Sequence, residues 1–153
     1  RQFVFVDDLV CGSSSPVIFF KSVFGAQKNQ FTLMGFVYVF IGGGIGAICR
    51  YGISLWLSKP EANVIPWHTL VSNVLACFIA GALVAWLPRS GYYNEGRLWL
   101  LTGFCGGFST FSTFGVETLF MLQRGQTGPA LTYMALSMAS CLLAVVAGLK
   151  MFA

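Results

Sequence analysis

The chain has 153 residues, 56% of them hydrophobic and only 9% charged, where soluble domains carry about 25% charged residues, and its mean hydropathy is +0.75. Nine basic and five acidic side chains, a net charge of +4, cannot cover a water-facing exterior, so the composition speaks against a soluble enzyme, a nucleic-acid binder or a secreted disulfide scaffold. An integral membrane protein is expected. At about 20 residues per span across about 30 Å of hydrocarbon, the length allows four or five spans and no separate catalytic domain.

Residues 1–33 stand apart from the rest. Position 1 is not methionine, Gly12-Ser13-Ser14-Ser15-Pro16 breaks the segment, and the apolar stretch 17–24 is too short to span and carries Lys21. Met34 therefore reads as the natural start, and 1–33 as a non-native extension or an interfacial or disordered one. Residues 34–153 read as the membrane domain. Four apolar runs follow, at about 34–57, 66–87, 98–122 and 128–152, separated by short loops rich in Pro, Gly, Asn and charge. Hydrocarbon offers the backbone no water, and the runs are too long for barrel strands, so four helices are predicted.

In the first run, Gly42-Gly43-Gly44-Ile45-Gly46 lacks the strand-before, helix-after context of a phosphate loop. Gly42 and Gly46 instead form a small-xxx-small pair for close helix packing. Arg50, late in the same run, serves either as an interfacial anchor or as an attractor of anions at a pore mouth. The second run opens with Trp67 and His68, for which an interfacial role is expected over a ligating one. Asn73 lies further in, behind Thr69 and Ser72, and must find an interhelical partner or donate its amide N–H to a passing anion.

The third run is the most informative. Gly103, Gly106 and Gly107 precede Phe108-Ser109-Thr110-Phe111-Ser112-Thr113-Phe114, and glycines followed by repeated hydroxyls predict a break in the helix. Carbonyls freed there suit a hard cation, and the next half-helix N-terminus suits an anion. Phe111 and Phe114 share a face, and their positive ring edges suit a small anion, with ordinary packing as the competing explanation. Glu117 is expected to cap toward the far interface or to pair with a cation such as Arg50, with a proton-carrying role as the less favoured alternative.

The fourth run places Tyr133 and Ser137 on one face, followed by a packing stripe of Ser140, Ala144 and Gly148. The five cysteines, at 11, 49, 77, 105 and 141, show no CxxC or Cys/His spacing and read as packing residues. After Met34 the loop and end cations divide into Arg89, Arg97 and Lys150 on one side and Lys59 and Arg124 on the other. So even a split would permit insertion in both orientations.

Taken together these residues resemble the Fluc (CrcB-type) fluoride channel family. The matching pieces are 42–51, Thr69 to Asn73 with Gly81 beyond, 106–114 with Glu117, and Tyr133 with Ser137, in family order from about Met34 onward. The resemblance implies an antiparallel, dual-topology homodimer in the cell membrane, with two fluoride pathways and a structural sodium ion at the dimer centre. It implies that Phe111 and Phe114 form an aromatic box and that Asn73 donates to fluoride. Tyr133, Ser137, Ser112 and Thr113 would continue the polar track, and the backbone carbonyls of Gly106 and Ser109 would hold sodium. Ser109 stands where the family usually has threonine, and His68 and Ala76 where it usually has glycine. The implied role is passive export of fluoride from the cytoplasm, with fluoride, membrane lipid and a second copy as partners, no nucleic acid and no enzymatic activity. Spacing alone does not separate fluoride from chloride. The alternatives are a small four-helix multidrug/proton antiporter, for which Glu117 is the only intramembrane acid, and a membrane assembly subunit that transports nothing.

Overall fold

The computed structural model describes residues 33–57 and 64–152. Expectations for the N-terminal extension and for Lys59 fall outside these residues, except that the first helix already includes Leu33. The described residues are all-helical. Helix α1 is Leu33–Leu57 and α2 is Trp67–Trp86, which tightens into a 3₁₀ turn at Leu87–Arg89 around Pro88. After a turn at Gly91, the third apolar run begins with α3 (Tyr93–Gly96), widens into π-helical turns over Arg97–Cys105, and ends with α4 (Gly106–Phe108). Ser109 and Thr110 are extended, with φ/ψ of −78/156 and −148/113, and α5 (Phe111–Gln123) follows. Helix α6 is Thr127–Met151.

Three stretches, Leu33–Leu57, Trp67–Arg89 and Thr127–Met151, are each long and apolar enough to cross a membrane. The third apolar run is divided instead. At 1.5 Å per residue α5 reaches only about 20 Å, short of the hydrocarbon thickness. The break also falls later than the glycines suggested, because Gly103, Gly106 and Gly107 are helical and the extended residues are the hydroxyl pair after them.

Those glycines are used for contact. A Cβ on Gly42 would overlap the Trp99 carbonyl, one on Gly46 the Phe104 carbonyl, and one on Gly107 the Gly43 carbonyl, so α1 lies against the first half of the third run backbone to backbone. A second seam joins α2 to α6, where Gly81 faces the Val145 carbonyl and Gly148 the Phe78 carbonyl. Ala144 and Gly148 of the expected stripe are buried there, while Ser140 donates back to Leu136 O of its own helix at 2.6 Å. Substituting Gly46→Ala is expected to cost about 1–3 kcal/mol through overpacking. Gly44→Ala, which meets nothing within 4 Å, should be neutral or better. Thermal unfolding of the two variants in detergent checks the contrast.

Leu70, Met121, Ala130 and Tyr133 form a small core where α2, α5 and α6 meet, with Ile65, Val74 and Phe114 packed around it. Large apolar side chains such as Phe40 and Trp56 are exposed on the outside of the single chain. Among the described residues Cys49, Cys77, Cys105 and Cys141 are free thiols, Cys105 buried and Cys49 exposed; Cys11 lies outside the described residues.

Candidate functional site

The break in the third run organises the site. The Thr110 N–H, which in a continuous helix would donate to Gly106 O, donates to Asn73 Oδ1 at 2.7 Å, and Asn73 Nδ2 returns a bond to Thr110 O at 3.2 Å. One side chain on α2 thus clamps both polar groups of the extended residue. Having two N–H bonds, Asn73 keeps one beyond the clamp. The Thr110 hydroxyl then caps α5 by accepting from the Thr113 N–H at 3.4 Å, and it lies within 3.3 Å of Ser112 Oγ and 3.0 Å of Thr113 Oγ1. Three hydroxyls therefore gather at the positive end of α5.

The same diversions strip two carbonyls of their helical donors: Gly106 O loses the Thr110 N–H to Asn73, and Ser109 O loses the Thr113 N–H to Thr110 Oγ1. A Cβ at Gly106 would meet nothing within 4 Å. Such oxygens have the chemistry of ligands for a hard cation, and they are the two that the resemblance assigns to sodium. Between them Gly107 O accepts from Arg50 Nε at 3.2 Å. Arg50 is therefore engaged with the end of α4, and the expected pairing with Glu117 does not occur.

Beyond the break, Phe111 and Phe114 lie with ring centroids 5.6 Å apart at 38°, and Phe114 continues to Tyr133 at 5.1 Å and 47°. The two phenylalanines differ in setting. Phe111 is 80% exposed on this chain, whereas Phe114 packs into the core. Tyr133 is fully buried. Its hydroxyl, expected to serve a track for anions, donates to Glu117 Oε2 at 2.9 Å. One turn further along α6, Ser137 Oγ is buried with no hydrogen-bond partner among the described residues.

Glu117 is where the sequence was least informative. Its Oε1 accepts from Thr69 Oγ1 at 2.8 Å and lies 3.1 Å from His68 Nε2, so the carboxylate is held by residues of α2 and α6. His68, expected as an interfacial residue, is a direct partner of this acid. Thr69 and Thr110 were also missed as functional groups. The spacing of Thr69 to Asn73 places both on one face of α2, and Thr110 three residues before Thr113 is a recognisable N-cap pattern. Among the described residues no cluster of three His, Cys, Asp or Glu could hold a metal.

The family model for CrcB-like protein, Camphor Resistance (CrcB), matches residues 37–149, which include every site residue above. A protein of Rhizobium johnstonii named fluoride-specific ion channel FluC is 37% identical over 114 residues, covering 74% of this chain and 91% of the relative. Proteins of the same name are 44% identical in Novosphingobium aromaticivorans and 42% in Enterobacter sp., each over 101 residues and 79% of the relative, covering 64% and 65% of this chain. With the match running through all four apolar runs and across the break at Ser109–Thr110, the chain belongs to the CrcB family of membrane proteins.

Proposed function

We propose that the chain is one subunit of a fluoride-selective channel that lets fluoride leave the cytoplasm passively across the cell membrane. The observation that carries this reading is the interrupted third span, whose extended residue, clamped by Asn73, presents Phe111, Phe114 and the hydroxyls of Ser112 and Thr113 at one place. The names of the relatives supply the ion. Fluoride is small and holds its water tightly, so a pathway must replace that water with close donors. The free N–H of Asn73, the hydroxyls at the start of α5, the unpartnered Ser137 and the ring edges of the two phenylalanines are such donors.

In this reading the divided third run is the fourth span, and two copies insert in opposite orientations to form an antiparallel dimer. The near-even split of loop cations supports it, as does the exposure of Phe111, half of the aromatic box, on the single chain. A structural sodium ion would be held by the Gly106 and Ser109 carbonyls of both copies, supplying a fixed charge that ties the two breaks together. Export follows from the gradient: hydrogen fluoride enters from acidic surroundings and dissociates inside, and the anion leaves by the channel, which relieves toxicity.

Electrogenicity tests the mechanism against proton-coupled antiport. In proteoliposomes loaded with potassium fluoride and lacking a pH gradient, efflux should be slow until valinomycin supplies a counter-current, and then fast. Efflux that ignores valinomycin and follows an imposed pH gradient would contradict the channel.

A further inference from the structure

The described residues contain two acids, Glu95 beside the loop in α3 and Glu117 inside α5. Glu117 meets three polar groups of the site, the hydroxyls of Thr69 and Tyr133 and the imidazole of His68, and the unusual one is His68. Because an ionised carboxylate only accepts, the hydroxyls of Thr69 and Tyr133 must turn their hydrogens toward Glu117 and away from anything passing Phe114. The position of the carboxylate therefore sets the polarity of two buried hydroxyls. Thr69 and Tyr133 are 2% and 0% exposed, while the side chains of His68 and Glu117 are 28% and 17% exposed, so the imidazole is the most exposed member of the cluster on the single chain.

From this geometry we propose that His68 is a positioning residue of the anion pathway, orienting Glu117 through the Nε2–Oε1 contact and, when protonated, cancelling its charge. The proposal rests on the fluoride-channel reading. A neutral His68 leaves the charge of an ionised Glu117 uncompensated, which repels an anion near Phe114 and Tyr133, whereas a protonated His68 cancels it. Histidine is the side chain that ordinarily gains its proton as the medium turns mildly acidic. Fluoride current should therefore rise as pH falls. The other charged or titratable groups around the cluster do not supply this change: on α1 Arg50 is held by Gly107 O, Arg124 lies at the far end of α5, the Tyr133 proton is committed to Glu117, and Cys77 and Cys141 lie further along the α2–α6 seam.

The test is fluoride current through the purified full-length protein in planar bilayers, recorded with equal fluoride on both sides from pH 8 to pH 5.5. Current is the right readout because neutral hydrogen fluoride carries none. Removing one charge at about 6–8 Å in a partly hydrated site should raise the wild-type current about three- to tenfold across that interval. His68→Gln should lack the rise. His68→Lys, charged throughout, should stay flat near the low-pH level, and size-exclusion profiles should show both variants assembled as the wild type is. A wild-type current that is present but indifferent to pH, or a His68→Gln current that keeps the full rise, would overturn the proposal. Absence of any wild-type fluoride current would overturn the channel reading and this proposal with it.

Discussion

Phe114→Ile is expected to lower fluoride efflux from proteoliposomes by about two orders of magnitude while leaving the protein folded. The change nearly conserves volume, so the core of Leu70, Met121, Ala130 and Tyr133 around it should lose less than about 1.5 kcal/mol. What disappears is the ring. Its hydrogen-bearing edge carries partial positive charge, and its centroid lies between those of Phe111, at 5.6 Å, and Tyr133, at 5.1 Å. A dehydrated anion that loses about 3 kcal/mol of stabilisation at one point of its path is slowed about a hundredfold. Phe111→Ile should slow efflux similarly, but with almost no effect on the stability of the single chain, since Phe111 is 80% exposed there. A fluoride electrode reads the flux, and thermal unfolding reads the fold. Normal efflux by Phe114→Ile would show that the box is wrongly placed.

Asn73→Asp should abolish transport by a different route. The carboxylate keeps the acceptor for the Thr110 N–H, so the break can still be capped from α2. Both N–H donors vanish: the one on Thr110 O and the one left over for an anion. A negative charge takes their place beside the proposed path. Repulsion of an anion at about 4 Å in a partly hydrated site amounts to several kcal/mol, enough for a loss of a hundredfold or more. Asn73→Ala is the contrasting case. It strands the Thr110 N–H and carbonyl in a low-dielectric setting and should destabilise the protein by about 1–3 kcal/mol. The expected pattern is therefore a folded but silent Asp variant and a weakened Ala variant, separated by flux and unfolding measurements on the same preparations.

Much of this was legible in the sequence because the signals were local or compositional. Scarcity of charge and the length of the apolar runs depend on no partner, and Gly42 with Gly46 marks close approach by spacing alone. The Phe111–Phe114 pairing follows from helical periodicity in the same way. The location of the break was less legible. Glycine is permissive in either state, and here α1 packs so tightly on Gly107 that helix is retained, while the choice at Ser109–Thr110 is made by Asn73, 37 residues away. The partners of Glu117 were illegible for a related reason. Thr69 and His68 come from a helix nearly 50 positions distant and Tyr133 from the next helix, and no spacing rule links them. Arg50 likewise finds a backbone carbonyl, which every residue possesses and no sequence advertises.

The central claim is that this membrane chain conducts fluoride in preference to other halides. The direct measurement is efflux from liposomes containing only the purified protein, with valinomycin present, followed by fluoride and chloride electrodes in parallel. The account predicts rapid release of fluoride and retention of chloride. Equal release of both ions, or release of neither, would contradict it.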